Sequence, residues 1–161
     1  MNEADTRAEL IDVQLRSAGW GVVAESRIQR EYSINAGEIR AGGIRTGQLK
    51  ADYILSYKNR KLAVVEAKSD EVEVGEGVAQ AKVYADKLQL GTTYSANGRH
   101  IYEICLQTGK EGLVNSFLTP DALWDKTFGD RNEWLEKFNS VPFENAFGDS
   151  QQRYYQEIAI N

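Results

Sequence analysis

The stretch from Ala51 to Lys68, ADYILSYKNRKLAVVEAK, leaves the chain few choices. Two apolar runs, Tyr53-Ile-Leu55 and Leu62-Ala-Val-Val65, flank the polar tetrapeptide Lys58-Asn-Arg-Lys61. Such runs, split by a short polar segment, read as two antiparallel strands of a β-hairpin. A loop centred on Asn59 sets Asp52 against Glu66, with Cβ atoms about 4.5–5.5 Å apart. Lys68, two residues further on, falls on the same side. A loop centred between Asn59 and Arg60 would set Asp52 against Ala67 and turn Glu66 to the other face.

Two carboxylates held face to face repel. A fold that keeps them neutralises them with a proton, a cation or a metal. Oxygen ligands suit Mg²⁺ or Mn²⁺. With a lysine alongside to hold or polarise an attacking water, the parts suffice for metal-assisted phosphodiester hydrolysis. The alternative is a solvated pair, since E-x-K arises by chance in many surface strands. Against it, Glu66 comes late in a strand that reads as buried on both faces, where an unpartnered charge is rare.

Asp52 followed by Glu66-Ala67-Lys68 resembles the D…(D/E)-x-K signature of the restriction-endonuclease-like (PD-(D/E)xK) nuclease superfamily. The wording of 51–68 is most similar to the N-terminal nuclease domain of the motor (R) subunit of type I restriction enzymes. Three further stretches fit in the expected order. Glu3 to Trp20 reads E-x-x-T-R-x-x-L-I-D-x-x-L-x-x-A-G-W, Gln80 and Tyr84 form a Q-x-x-x-Y element, and Arg153-Tyr-Tyr-Gln-Glu-Ile-Ala-Ile160 resembles the segment ahead of a helicase motor. The resemblance implies an α/β fold, a mixed sheet flanked by helices with a core of the αβββαβ type. It implies a nuclease domain over 1–130 and, over 131–161, a helical or loop linker to a motor outside this chain. Asp52 and Glu66 would ligate Mg²⁺ or Mn²⁺ with the Ala67 carbonyl. Lys68 would position or deprotonate water, or stabilise charge on the phosphorane. Gln80 and Tyr84 would contact substrate or orient the lysine. The implied partners are double-stranded DNA, methyltransferase (M) and specificity (S) subunits, and the chain's own C-terminal helicase. ATP would serve only the full-length protein, since Gln156 here lacks the rest of a nucleotide site.

The bulk numbers agree with one ordinary domain. There are 161 residues, 42% hydrophobic and 27% charged, enough for a substantial core. No apolar run reaches the roughly 18 residues of a membrane span, and the acidic, polar N-terminus is not a secretory signal. The single cysteine, Cys105, excludes an internal disulfide and a cysteine zinc cluster, and fits a reducing cytoplasm. The lone His100 reads as a strand residue after a turn. A net charge of −5 argues against a strong stand-alone nucleic-acid binder. Yet Arg27 to Lys61 carries eight basic residues against three acidic ones. That leaves either a basic face near the hairpin or an ordinary solvated surface.

Along the chain, Glu3–Ala18 has the spacing of an amphipathic helix, with Ala4, Ala8, Ile11, Leu15 and Ala18 as its stripe. Glu3 and Arg7 lie at the stripe's edge and Glu9 opposite. If a first-helix acid joins the site, geometry favours Glu3 over Glu9. Otherwise Glu3 serves the helix dipole. Residues 22–31 read as a strand with Val22, Val23 and Ile28 inward. Gly37–Gly47 reads as a loop without a phosphate-binding pattern. Lys50, opposite Lys68 in the favoured register, is either a contact for the scissile phosphate or a surface lysine. The acidic run from Asp70 to Glu76 reads as an exposed loop before a helix over 77–88, with Ala81, Ala85 and Leu88 toward the sheet. Thr92–Ala96 and His100–Leu106 read as strands around a two-residue Asn97-Gly98 turn. Strand, helix, strand from 62 to 96 forms a βαβ unit. Thr119-Pro120 starts a helix, 131–138 is another, and 142–152 is loop-like.

Two readings besides the nuclease remain at this point. The same fold could be a non-catalytic docking module, or a nuclease for RNA or single strands.

Overall fold

A helical rod opens the chain because Asn2 caps it, its Oδ1 accepting the Asp5 N–H at 2.8 Å. The computed structural model describes residues 1–34 and 49–129. Helix α1 (Glu3–Thr6), one π-helical turn (Arg7–Ile11) and helix α2 (Asp12–Ser17) follow one another. Of the expected stripe, Ile11 and Leu15 are fully buried and Ala18 partly so. Ala4 and Ala8 are exposed, and Thr6 is buried instead. The wider π turn rotates the first half of the rod relative to the second, which a constant 100° step does not anticipate. Gly19 and Gly21 adopt φ of 98° and 71° and turn the chain. Trp20 folds back into the core, and its indole N–H donates to the Leu118 carbonyl at 2.8 Å.

Six strands follow: β1 (Ser26–Ser33), β2 (Lys50–Tyr57), β3 (Arg60–Ala67), β4 (Thr92–Ala96), β5 (Ile101–Cys105) and β6 (Glu111–Val114). They form one sheet in sequence order. Only β3 and β4 are parallel. Between them run a 3₁₀ turn (Val74–Gly77) and helix α3 (Val78–Lys87). The order is thus the expected αβββαβ core, extended by β5 and β6. Val22 and Val23 do not join β1. They lie in the turns before it, 70% and 37% exposed, and Ser26 is the buried residue at the strand's start. The Asn97-Gly98 link is four residues long rather than two, because the Asn97 side chain accepts the N–H groups of Arg99 and His100. The final helix begins at residue 120 behind Thr119, whose hydroxyl accepts the Ala122 N–H.

The hairpin reaches its register by an unexpected route. Tyr53 pairs with Val65, Ile54 with Val64 and Leu55 with Ala63, the alignment that sets Asp52 against Glu66. At the tip, however, Ser56 pairs with Lys61 and Tyr57 with Arg60, one residue out of step. Lys58 and Asn59, at φ of 48° and 58°, form a two-residue turn of the primed type. Leu62 is the extra residue of a β-bulge, which restores the alignment before the acidic pair.

The sheet's two faces are unequal. One carries the main core, with Ile11, Leu15, Trp20, Tyr53, Leu55, Tyr94, Phe117 and Leu123 among its buried members. The other is a smaller cluster of Ala51, Ile54, Val64, Tyr84 and Ala85 beneath α3. Thr93 and Ser95 of β4 fasten the second layer, their hydroxyls bonding to the carbonyls of Ala81 and Val74. Among the described residues no helix is long and apolar enough to cross a membrane. The expectations for Gly37–Gly47, 131–138, 142–152, Arg153–Ile160 and the linker over 131–161 lie outside the described residues.

Candidate active site

Asp52 opens β2 and Glu66 nearly closes β3, so the antiparallel pairing brings them together at one end of the sheet. Asp52 is hydrogen-bonded at both oxygens: its Oδ2 accepts the Ala67 N–H at 2.8 Å and its Oδ1 accepts Arg7 Nη1 at 3.0 Å. Glu66 is not. It is 2% exposed, its Oε1 accepts Lys68 Nζ at 2.9 Å, and its Oε2 is buried with no hydrogen-bond partner. Burial pushes the Glu66 carboxyl up to about 7, the Asp52 charge adds to the push, and Lys68 pulls against it.

Lys68 directly follows β3, its backbone N–H donating to the Ala96 carbonyl on β4. Its ammonium donates to Glu66 Oε1 and, at 3.3 Å, to Gln80 Oε1. Gln80 in turn donates from Nε2 to the Tyr84 hydroxyl at 2.7 Å. The helical spacing of Gln80 and Tyr84 on α3 therefore produces a single chain of contacts, Glu66–Lys68–Gln80–Tyr84. Burial alone would lower the Lys68 ammonium, but the Glu66 hydrogen bond and the charges of Glu66, Glu3 and Asp52 outweigh it and hold it above its ordinary range.

Arg7 comes to the site from the π turn. Glu3 acts there through its charge, which raises both Glu66 and Lys68, while Glu9 is exposed. Lys50 lies at the exposed start of β2. It pairs with Ser33 on β1, is half-exposed, and bonds Glu31 Oε2 at 3.2 Å. The cations of the hairpin tip, Lys58, Arg60 and Lys61, lie some four to six residues along the strand from Asp52, roughly 13–20 Å away. Lys58 rests over the rings of Tyr57 and Trp124, and Lys61 over Tyr32.

Two residues of the site were not foreseen. Glu31 lies alongside Asp52 on the neighbouring strand, and its Oε1 is 3.7 Å from Arg7 Nη2. Only a knowledge of which strand borders β2 reveals it. Gly77 presses on Glu66 from above: a Cβ there would lie 3.4 Å from Glu66 Cγ and 2.3 Å from Ser95 Oγ. The run Val74-Gly-Glu-Gly77 carried that signal only faintly.

The donor set fits a hard divalent cation. Among the described residues no three of His, Cys, Asp and Glu cluster as ligands, so a protein-only cage is excluded there. Mg²⁺ does not require one, since it commonly uses one or two carboxylates and completes its shell with water and substrate phosphate. The unpartnered Glu66 Oε2, on a carboxylate that feels the Asp52 charge, is the observation that fits such an ion. The residues that would hold it are Asp52, Glu66 and the carbonyl of Ala67.

Residues 27–120 match the family model for the second domain of the type I restriction enzyme EcoKI endonuclease subunit. The chain is 28% identical over its whole length to the type I restriction enzyme EcoAI endonuclease subunit of Escherichia coli, of which it covers 21%. It also resembles the solved structure of a fragment designated an HsdR subunit of a type I restriction enzyme from Vibrio vulnificus YJ016. That similarity has a TM-score of 0.75 and 38% identity over 82% of this chain and 26% of the other. The chain thus spans about a fifth to a quarter of the relatives it matches.

Proposed function

The chain belongs to the family of type I restriction enzyme endonuclease subunits, and from that premise we propose that it is their metal-dependent DNA-cleaving domain. The observation that carries the reading is the buried, unpaired Glu66 Oε2 set against Asp52. A purely structural or docking module gains nothing from that arrangement, which costs desolvation and repulsion.

A divalent ion held by Asp52, Glu66 and the Ala67 carbonyl would polarise the scissile phosphate and activate water. The remaining roles fall to this chain's own side chains. Lys68 has three ammonium hydrogens, of which Glu66 and Gln80 engage two. The third is left to hold the attacking water or meet charge developing on the phosphorus. Tyr84 fixes Gln80 and so fixes the lysine. The Ala67 N–H holds Asp52 at its Oδ2, which orients the carboxylate.

In the full-length subunit we place this domain after the motor's work: double-stranded, unmodified DNA is cut once ATP-driven translocation by the helicase has stopped. Methyltransferase and specificity subunits select the DNA. The likeness of Arg153–Ile160 to a pre-helicase segment supports this, as do the family's endonuclease subunits.

Asp52→Ala, Glu66→Ala and Lys68→Ala should each cut Mg²⁺-dependent plasmid nicking by at least about a hundredfold while leaving the fold intact by circular dichroism. Nicking by Lys68→Ala within about tenfold of wild type would count decisively against the reading.

A further inference from the structure

Arg7 holds an oxygen of the carboxylate a metal would need. Its Nη1 bonds Asp52 Oδ1 at 3.0 Å, while the other Asp52 oxygen is held by Ala67 N–H. A guanidinium and a divalent ion on one carboxylate repel each other, so each weakens the other's hold. Glu31 offers the guanidinium a second seat: Arg7 Nη2 already lies 3.7 Å from Glu31 Oε1.

Glu31 is held there by unusual backbone. Its φ is 49°, left-handed for a residue with a side chain. Before it, Ile28 packs into the main core. After it, Tyr32 and Ile34 pack into the cluster under α3. The strand changes its buried side at Glu31, and its carboxylate is carried to Arg7. Behind lies a cleft of about 370 Å³, with Ala4, Ala8, Asp12, Arg30, Glu31 and Tyr53 on its walls. It gives the arginine room to withdraw.

We propose that Arg7 gates the metal site. On the metal-free protein it ties down Asp52. When DNA enters, the guanidinium moves toward Glu31 and a backbone phosphate, and Asp52 becomes free for the ion. Metal and DNA would then bind with positive coupling, so that the site loads fully only on its substrate. Arg7 is a positioning residue here, and the proposal rests on the metal-site reading above.

The test is calorimetric titration of Mn²⁺ into the full chain, with and without a short phosphorothioate duplex that resists cleavage. Arg7→Gln should bind Mn²⁺ roughly 5- to 150-fold more tightly than wild type without duplex. It should also show a smaller gain on adding duplex. Glu31→Gln should weaken Mn²⁺ binding in the wild-type background and change it little in the Arg7→Gln background, a non-additivity that a mere loss of nearby charge would not give. If wild type binds Mn²⁺ in an Asp52-dependent way but Arg7→Gln binds no more tightly, the gate is overturned and the metal site stands. Equal Glu31→Gln effects in both backgrounds would likewise overturn it. If neither wild type nor Arg7→Gln binds Mn²⁺, with or without duplex, the metal site itself fails and the gate with it.

Discussion

The two faces of the sheet solve opposite problems. Beneath the N-terminal helices, Trp20, Tyr53, Leu55, Tyr94 and Phe117 bury large side chains whose polar groups are paired: the Tyr53 hydroxyl with Asp12, the Tyr94 hydroxyl with Glu103, the Trp20 indole with Leu118; the neutral Gln14 Oε1 of α2 is buried without a partner. Beneath α3 the apolar cluster is small, and at its edge a carboxylate oxygen is buried unpaired. The contrast teaches where stability comes from and where it is given up. A domain whose net stability is roughly 5–15 kcal/mol can carry one such defect only if the opposite face is well packed.

The largest effect should come from the packed face. Trp20→Ala removes a fully buried ring and orphans the Leu118 carbonyl. It should cost about 3–5 kcal/mol in denaturant titration and leave little folded protein at 37 °C. A loss under about 1 kcal/mol would mean the two faces contribute alike.

On the site face the sign should reverse. Glu66 is raised from 4.5 to about 7, chiefly by burial. A carboxyl whose folded pKa is raised stabilises the fold fully below its unfolded pKa, and that contribution is lost as pH rises through about 7. With metal chelated, Glu66→Gln should therefore match wild type near pH 4.5 and exceed it at pH 8 by on the order of 1–3 kcal/mol. Equal stability at pH 8 would remove the case that this residue is kept for chemistry. The smallest effect belongs to the hairpin tip, far from both. Asn59→Gly suits the left-handed turn and should add about 0.5 kcal/mol with no change in Mn²⁺ binding.

The sequence was legible where its pattern was local. Continuous apolar runs gave β2 and β3, and helical spacing gave Gln80 beside Tyr84. The pairing of Asp52 with Glu66 was read correctly from a wrong turn: a loop centred on Asn59 was assumed where a two-residue turn and the Leu62 bulge add to the same offset. Illegible were features set by neighbours distant in sequence. The π turn that exposes Ala4 and Ala8 leaves no mark in residue spacing. Glu31 could not be assigned without knowing that β1 borders β2.

Anomalous diffraction from Mn²⁺-soaked crystals addresses the divalent site most directly. A peak about 2.0–2.2 Å from oxygens of both Asp52 and Glu66, and within reach of the Ala67 carbonyl, is the predicted result. Manganese bound elsewhere, with none between those two carboxylates and Lys68 still bonded to Glu66, would contradict it.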